Sequence, residues 1–191
     1  MRKCFLSMSN NCDGSMNMGG RAVSVVWRNM RDQDLSTVVA IADRIHLDYP
    51  EAPAIYAERL QLFAGGCQIA MATGGAVHGY AIAHPALLGQ PPSLNTLLNA
   101  LPVSANCLYL HDIALLPEGR QYGLGGTLID YLKLLAQTMQ LDYLALVAVN
   151  NSAPYWRRQG FAPYAGTDAG LRRKLASYHA AAEYLVLDLQ A

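Results

Sequence analysis

The chain has 191 residues, of which 52% are hydrophobic and 15% are charged, a composition that can fill the core of one compact domain. Fourteen basic residues balance fourteen acidic ones, so no net field recruits nucleic acid or an anionic membrane, and no apolar run is long enough for a membrane span. Four widely spaced cysteines lack the paired spacing of a zinc site and no signal sequence accompanies them, so we expect reduced thiols, no metal and a cytoplasmic protein.

The first twenty residues differ in character from the rest of the chain. They are polar and show neither helical nor strand periodicity, so we expect residues 1–20 to form a flexible tail before a single domain over residues 21–191. Ala22–Arg28 is β-branched and predicts a strand. Apolar residues at helical spacing then predict one helix over Asp32–Tyr49 and a second over Ala54–Phe63.

A hairpin and a long connection follow these helices. Cys67–Ala72 and Ala76–Ala83 predict an antiparallel pair of strands joined by the short turn Thr73–Gly75. Residues 85–105 then contain four prolines around a short apolar segment. A connection of that length is typical of a functional loop, or of a helix that the pattern conceals.

The most informative segment is a strand, a glycine-rich turn and the start of a helix. Cys107–Leu116 predicts a buried strand. After it, Gly123, Gly125 and Gly126 let successive N–H groups point inward at an anion, and the helix N-terminus adds positive potential. Thr127 can add a hydroxyl. These features predict a diphosphate site, although glycines also cluster in ordinary strand-to-helix turns.

Two common phosphate-binding motifs do not fit this segment. A Walker A loop ends in glycine, lysine and serine or threonine, and the lysine is missing. A dinucleotide-binding fingerprint needs a third glycine where Leu128 stands, and Asp142 follows too soon to be its ribose ligand. The pattern present is Arg120-x-x-Gly123-x-Gly125.

The C-terminal part continues the alternation of strands and helices. Leu141–Val149 is a nearly continuous apolar run, as in a strand covered on both faces. A short helix over Ser152–Gln159 closes at Gly160, and Leu185–Leu189 predicts a last strand. The order of elements predicts an α/β (α+β) fold with a mixed sheet, rather than a doubly wound parallel sheet.

Three motifs in this order resemble those of the GCN5-related N-acetyltransferase (GNAT) family. The arginine and glycine pattern resembles its coenzyme loop, Leu110–Leu115 its fourth strand, and Val147–Phe161 its fifth strand and the following helix. The resemblance implies a mixed, mostly antiparallel central sheet of about six to seven strands flanked by about four helices. It also implies an enzyme without a metal that uses acetyl-CoA as co-substrate and moves the acetyl group to an amine by direct attack.

By that resemblance, the coenzyme lies along the fourth strand and the glycine-rich turn. The strand backbone would run beside the pantetheine arm, and the turn would hold the pyrophosphate. Two polar residues before the next helix would bind pantetheine, unless they only cap that helix. The residues concerned are Ile113, Ala114, Leu115, Leu116, Arg120, Gln121, Tyr122, Gly123, Leu124, Gly125, Gly126, Thr127, Asn151 and Ser152.

Asp112 and His111 are the candidates for the catalytic base. Neighbours on a strand point to opposite faces, so only one of the two is expected to face a given cleft. The family often uses a carboxylate that acts through water, which favours Asp112. The ordinary pKa of a histidine also suits a base, which favours His111. Alternatively, the two side chains only make polar contacts at a bend in the strand.

The sequence leaves two candidates for the general acid. Trp156 stands where the family usually has a tyrosine that acts as the acid. The side chain of Tyr155 would project about 100° away from that of Trp156 around the helix. The leaving thiolate is therefore protonated by Tyr155, if the helix start is shifted, or by water.

The acceptor is expected to lie among residues that the coenzyme does not use. Tyr49, Glu51, Tyr80, His84 and Tyr178 surround the expected cleft, although each can equally be a packing residue. They suit a small amine or an amino acid, and Glu51 can attract an ammonium group. Left open are a peptide or protein acceptor, a degenerate member that senses coenzyme A without turnover, and a homodimer through the C-terminal strand.

Overall fold

The computed structural model describes residues 24–178 and 181–190, so the predicted tail over residues 1–20 lies outside the described residues. Within them the chain forms seven strands and five α-helices, none of which is long and apolar enough to cross a membrane. The strands are β1 (Val25–Asn29), β2 (Cys67–Ala72), β3 (Val77–Ala86), β4 (Cys107–Leu115), β5 (Tyr143–Ala148), β6 (Ala162–Pro163) and β7 (Glu183–Asp188). The helices are α1 (Leu35–Ile45), α2 (Pro53–Leu62), α3 (Leu124–Thr138), α4 (Ala153–Arg158) and α5 (Ala169–Tyr178).

The seven strands form one sheet in the order β1-β2-β3-β4-β5-β7-β6. Neighbouring strands are antiparallel except β4 and β5, which run parallel because α3 carries the chain back between them. The expected mixed, mostly antiparallel sheet is confirmed, with five described α-helices rather than about four. The C-terminal strand β7 lies inside the sheet, between β5 and β6, and so completes its own sheet.

Helices cover both faces of the sheet. On one face α3 and α4 pack over the strands, with Leu128 in the same buried cluster as Leu110. On the other face α1 and α2 pack beside Ile82 through residues such as Val38, and α5 extends this layer through Leu171. Each of these buried aliphatic side chains stabilises the fold by about 1.5–3 kcal/mol. The two layers decide which surroundings each successive β3 and β4 side chain meets.

A β-bulge in β4 breaks the alternation at one point. Ile82 pairs with Asp112 and Ala83 pairs with Leu110, which leaves His111 as an extra residue opposite β3. Because of this extra residue, His111 and Asp112 both face one pocket, whereas regular alternation would separate them. The prediction that only one of the two faces a given cleft is therefore wrong.

Beyond the bulge, β4 and β5 part. Their pairing ends at Leu110 and Leu146, whereas β5 goes on pairing with β7 as far as Ala148. Among the described strands, the segment Ile113–Leu115 therefore has a partner on one edge only. The N–H and C=O groups on its other edge are available to a ligand that lies along the strand.

The structure departs from the predicted elements most clearly in α1, β3 and α5, and the two-residue strand β6 was not predicted either. α1 ends at Ile45 rather than Tyr49, because His46 leaves the helical conformation (φ −106°, ψ 49°). β3 runs on to Ala86, since its end still pairs with the start of β4. The polar helix α5 was not predicted; it begins where the Asp168 carboxylate accepts the N–H of Leu171 at 2.7 Å, a side-chain cap.

Candidate active site

Two cavities adjoin β4. The larger, of about 760 Å³, lies between β4, the turn after it and α4, and we call it the glycine-loop cleft. The smaller, of about 70 Å³, we call the acid–histidine pocket. The glycine-loop cleft is lined by Ile45, Ile113, Leu115, Arg120, Gly123, Leu124, Gly125, Gly126, Ser152, Tyr155, Trp156 and Gln159. The acid–histidine pocket is lined by His46, Tyr49, Glu51, Leu94, Tyr109, His111, Asp112, Val147, Val149 and Tyr178.

The turn after β4 presents main-chain N–H groups to the glycine-loop cleft. Pro117–Tyr122 forms a 3-10 helix, and Gly123 then takes a left-handed conformation (φ 66°) that leads the chain into α3. Helix geometry leaves the N–H groups of Leu124 and Gly125, at the start of α3, without carbonyl partners inside the helix. Together with the positive end of α3 and the Arg120 side chain at the cleft wall, they form a site suited to phosphate.

Three side chains of the predicted coenzyme loop do not line this cleft. Gln121 donates to a carbonyl in its own turn at 3.3 Å, and the ring of Tyr122 packs edge-on against His78. Thr127 donates its hydroxyl to the carbonyl of Leu124 at 3.1 Å. None of these three side chains lines the cleft, so the predicted role of the Thr127 hydroxyl is not supported.

The residues in and just after β4 that were predicted to lie along the coenzyme alternate between two sides of the strand. Ile113 and Leu115 line the glycine-loop cleft. Ala114 points the other way and is 1% exposed in the core, and the N–H of Leu116 donates to the carbonyl of His78 at 2.9 Å. Since hydrogen-bonded pairs alternate along an antiparallel ladder, the main-chain groups of Ile113 and Leu115 face the open edge.

Tyr155 and Trp156 both line the glycine-loop cleft, at different depths. A Cβ on Gly125 would lie 1.9 Å from the Tyr155 hydroxyl oxygen, so the tyrosine reaches across to the first turn of α3. Trp156 is 6% exposed and packs edge-to-face on Phe161, with ring centroids 5.7 Å apart. Burial raises the pKa of Tyr155, which therefore keeps its proton. The phenolic hydroxyl in this cleft belongs to Tyr155, and the tryptophan is largely core.

Of the two polar residues predicted before α4, Ser152 lines the cleft and Asn151 does not. The Ser152 side chain makes no capping hydrogen bond to α4, so capping does not account for it. Asn150 and Asn151 have φ values of 51° and 57°, a left-handed conformation that asparagine tolerates better than most residues. The backbone conformation is a sufficient reason for asparagine at both positions.

Asp112 is held between two partners in the acid–histidine pocket. Its Oδ1 lies 2.8 Å from Nε2 of His46, the residue that ends α1. Its Oδ2 accepts a hydrogen bond from the hydroxyl of Tyr80, which is fully buried on β3. The contact with His46 is an ion pair when His46 is protonated. The carboxylate thus links α1, β3 and β4.

The second acid of the pocket is paired in the same way. Nε2 of His111 lies 2.9 Å from one carboxylate oxygen of Glu51, and each side chain is 5% exposed. The other oxygen of Glu51 accepts the N–H of Asn95 at 2.8 Å. The pocket therefore holds two histidine–carboxylate pairs, each of which includes one of the adjacent β4 residues His111 and Asp112.

The pairs keep both acids ionised. Burial raises the pKa of Asp112, but His46 and the Tyr80 hydroxyl outweigh it and hold that pKa below its ordinary value. Burial likewise raises the pKa of Glu51, and His111 outweighs it with the same net result. For His46, burial lowers the pKa, and the carboxylates of Asp112 and Glu51 raise it above its ordinary value.

Two of the five predicted acceptor residues do not line the pocket. Tyr49, Glu51 and Tyr178 do. Tyr80 lies behind Asp112 as its hydrogen-bond donor, and His84 is 2% exposed, with Nδ1 donating to the carbonyl of its neighbour Pro85 at 3.0 Å. Burial lowers the pKa of His84 to about 3, so it is a neutral packing residue rather than a ligand.

The model of the Acetyltransferase (GNAT) family matches residues 34–161, which is more than half of the chain. The chain belongs to this family. No curated protein matches the sequence. Among the described residues, no three histidine, cysteine or acidic side chains are grouped so that they could hold a metal ion.

Solved structures of the same fold resemble the chain at low sequence identity. The loading GNATL domain of CurA from Lyngbya majuscula is 14% identical with a TM-score of 0.70, over 87% of this chain and 98% of that one. Rv2747 from Mycobacterium tuberculosis, in complex with CoA, is 16% identical with a TM-score of 0.62, over 85% and 98% of the two chains. N-acetylglutamate synthase from Neisseria gonorrhoeae, complexed with coenzyme A and N-acetyl-glutamate, is 14% identical with a TM-score of 0.66, over 88% and 36%. These likenesses establish the fold.

In this GNAT protein, the proline-rich connection over residues 85–105 forms part of the wall of the acid–histidine pocket. Leu94 lines the pocket, and the side chain of Asn95 accepts the N–H of Ala52 at 2.8 Å. Glu58 of α2 accepts the N–H groups of Leu98 and Asn99, both at 2.8 Å. The connection is thus tied to the start and the outer face of α2, and it is a loop rather than a concealed helix.

Sequence reasoning missed five pocket residues. His46 is the most consequential, because it is the partner of Asp112. Its only sequence signal is its place just after the apolar face of α1, and the predicted helix ran past it. The others depend on how distant segments meet, which no local pattern indicates; they are Leu94, Tyr109, Val147 and Val149.

Proposed function

We propose that this GNAT protein is an acetyl-CoA-dependent N-acetyltransferase that acts on a small amine by direct attack. One observation carries the proposal. Asp112 and Ile113 are consecutive residues of β4, yet Asp112 lines the acid–histidine pocket and Ile113 lines the glycine-loop cleft. An amine bound against Asp112 therefore lies one residue away from a thioester that follows the open edge of β4.

Acetyl-CoA fits the glycine-loop cleft in chemical terms. The free N–H groups at the start of α3 and the Arg120 guanidinium suit its diphosphate. The open edge at Ile113 and Leu115 suits the amide groups of the pantetheine arm, which can pair with the strand as an added strand would. Two structural neighbours contain coenzyme A, which supports the same assignment for this chain.

The proposed reaction begins with loss of a proton from the bound ammonium group. The His46–Asp112 pair takes this proton when His46 is neutral, and the pair is treated as one unit because its members are coupled. The amine nitrogen then attacks the thioester carbonyl carbon and forms a C–N bond. A main-chain N–H at the open edge of β4 stabilises the oxyanion.

The C–S bond then breaks, and its electron pair leaves with sulfur as the thiolate of coenzyme A. We assign Tyr155 as the proton donor to this thiolate, because its hydroxyl lies in the glycine-loop cleft and its raised pKa keeps it protonated. Trp156, at the position where a tyrosine was expected, has no acidic proton to give. The attacking nitrogen loses its extra proton to water and Tyr155 regains a proton from water, so the products are the N-acetylated amine and coenzyme A.

The shape of the acid–histidine pocket favours a small acceptor over a peptide. The pocket has a volume of about 70 Å³ and is walled by the 85–105 connection and by Tyr178 of α5. The Tyr178 hydroxyl donates to the carbonyl of Pro92, which ties these two walls together. A peptide acceptor needs an open groove along its length, whereas a small walled pocket suits the head of a small molecule.

The proposal is tested by following thiol release from acetyl-CoA over a broad panel of small amines. We expect release with some of them, and a loss of kcat by about 100-fold or more in Asp112→Asn, while acetyl-CoA still binds. Asp142→Asn is the matched control, since Asp142 is exposed and lies away from both cavities. Thiol release in Asp112→Asn at the rate of the control would show that the base lies elsewhere.

Coenzyme binding is tested separately from catalysis. Saturating acetyl-CoA is expected to raise Tm, since a ligand at 100 times its Kd stabilises the fold by about 2.7 kcal/mol, whereas ATP and NAD are expected to leave Tm unchanged. Equal shifts with all three ligands, or none with any, would contradict the coenzyme assignment. A shift with acetyl-CoA but no thiol release with any amine would favour a coenzyme A sensor instead.

A further inference from the structure

The acid–histidine pocket has a charge pattern that narrows the class of acceptor. Its lining includes two carboxylates, Glu51 and Asp112, and among the described residues that line it none is a lysine or an arginine. We propose that the acceptor is a compact amine that carries no carboxylate or phosphate group, an inference that rests on the proposed acetyl transfer. An α-amino acid would bring its own carboxylate into a cavity that already holds two.

The histidines do not create a site for an anion. Nε2 of His46 faces Asp112 at 2.8 Å, and Nε2 of His111 faces Glu51 at 2.9 Å. When either imidazole is protonated, its charge is balanced by the carboxylate at its side. The pocket therefore has a net negative charge when the histidines are neutral and no net charge when both are protonated.

The buried arginine near Glu51 is also paired with other groups. Arg59 is fully buried on α2, where its guanidinium pairs with Glu58 and donates to the carbonyl of Thr96 at 2.9 Å. It does not line the pocket. A substrate carboxylate in the pocket thus meets no permanent cation that could replace the water it loses on binding.

The remaining lining sets the size and polarity of the acceptor. A cavity of about 70 Å³ has room for about five water-sized groups, so the amine and a few more atoms fit inside. Leu94, Val147 and Val149 supply apolar walls, and Tyr49 and Tyr178 supply rings with hydroxyl groups. Short alkylamines, amino alcohols and amines with one small ring match this lining, whereas a larger tail has to leave through the mouth of the pocket.

The experiment compares amines with the α-amino acids that differ from them only by a carboxylate: ethanolamine with serine, isobutylamine with valine, and tyramine with tyrosine. The kcat/KM for acetylation is measured for each, together with binding of each compound to the coenzyme A-loaded protein by calorimetry. We expect at least one amine to exceed its amino acid by about 100-fold in both measurements, as like-charge exclusion requires. Amino acids that are acetylated and bound as well as their amines would overturn the inference and leave acetyl transfer intact.

A charge variant tests the cause of the discrimination. Glu51→Gln removes one of the two carboxylates at nearly constant shape and is expected to lower the amine-to-amino-acid ratio at least about tenfold. Glu183→Gln is the matched control, because Glu183 forms an exposed ion pair with Arg157 outside the pocket. Preferential binding of amines without any acetylation would support the inference and contradict the proposed reaction, whereas absence of binding by every member of every pair would overturn the inference.

Discussion

Nε2 of His46 lies 2.8 Å from Oδ1 of Asp112, and this contact joins the end of α1 to the middle of β4. His46 is the residue at which α1 stops, so the negative end of that helix adds to the field of the carboxylate. Both favour the protonated imidazole, in agreement with the raised pKa of His46. The same contact therefore contributes to the stability of the fold and to the proposed chemistry, with opposite dependence on pH.

The pair is expected to stabilise the fold in a defined pH window. Because the folded pKa of His46 is raised above its ordinary 6.5, its contribution is complete below 6.5 and is lost as the pH rises through the raised value. Because the folded pKa of Asp112 is lowered below its ordinary 3.8, its contribution is present above 3.8 and is lost as the pH falls through the lowered value. His46→Asn should cost about 1–3 kcal/mol inside this window and less above it, measured by urea unfolding at several pH values.

Activity is expected to follow the opposite trend on the alkaline side. The proposed base needs a neutral His46, so kcat should rise with pH through a pKa above 6.5, where the stabilisation by the pair declines. His46→Asn should remove this rise. His78→Asn is the control, since His78 packs on Tyr122 outside the acid–histidine pocket, and loss of the pH-dependent rise in that variant as well would argue against the assignment.

The hydroxyl of Tyr80 should matter through Asp112 rather than through the acceptor. Tyr80→Phe removes a hydrogen bond to a buried carboxylate, which should cost about 1.5–3 kcal/mol and raise the pKa of Asp112, so the acid limb of the stability profile, where the free energy of unfolding falls as Asp112 is protonated, should move to higher pH. Tyr131→Phe loses the hydroxyl of a half-buried tyrosine, which donates to the carbonyl of Gly65 outside the pocket. It should lower the free energy of unfolding without moving the acid limb, and a shift of that limb in both variants would be evidence against a specific role for Tyr80.

The two neighbouring glycines at the start of α3 should respond differently to alanine. A Cβ on Gly125 meets the Tyr155 hydroxyl at 1.9 Å, whereas a Cβ on Gly126 has no neighbour within 4 Å. Gly125→Ala should therefore destabilise the fold by about 1–3 kcal/mol, and Gly126→Ala should stabilise it by about 0.5–1 kcal/mol, as alanine does in a helix. The free energy of unfolding in urea measures both effects. Combining Tyr155→Phe with Gly125→Ala should recover part of the stability lost in Gly125→Ala. Equal effects of alanine at the two glycines would contradict the packing of Tyr155 against α3.

The tie between the 85–105 connection and α2 should control acceptor binding. Asn95 and Asn99 both have positive φ, 52° and 61°, so glycine at either position keeps the backbone conformation. Asn95→Gly removes the side-chain bond to the N–H of Ala52, and a lost hydrogen bond of about 0.5–1.5 kcal/mol should raise KM for the amine about twofold to tenfold, with the Kd of acetyl-CoA unchanged. Asn99→Gly keeps its main-chain bond to Glu58 and is the control. Equal KM values in the two variants would mean that this tie does not shape the pocket.

Much of the fold could be predicted from the sequence because its signals are local. The hairpin of β2 and β3 has two β-branched and apolar strands around Thr73–Gly75, and the structure confirms the antiparallel pair. The glycine-rich turn before α3 was predicted from the conformational freedom of glycine, and Gly123 indeed takes a positive φ. α5 was not predicted because three consecutive basic residues, 172–174, make the segment polar, although the buried Leu171 and Leu175 stand at helical spacing and Asp168 caps its start.

The candidate site could be predicted only in part, because it depends on register and on distant contacts. The sequence indicated Asp112, His111 and Glu51 but not the pairing of each acid with a histidine. His46 comes to Asp112 only because α1 ends four residues earlier than its periodicity suggested, a difference decided by packing rather than by propensity. The bulge that brings His111 and Asp112 to one face has no residue signature in β4, since it is a property of how β4 pairs with β3.

The extra residue in β4 makes the protein sensitive to the length of this strand and not only to its composition. If His111 were deleted, the pairing of β4 with β3 would become regular. The side chains before or after the deletion would then either turn to the opposite face of the sheet or shift by one residue in their pairing with β3. We therefore expect insertions and deletions in the 73–75 turn or in the 85–105 connection to leave the sheet intact. An insertion or deletion within Leu110–Ile113 would instead move the side chains of half of β4 to the opposite face of the sheet. The number of residues in this part of β4 therefore matters to the site as much as their identity.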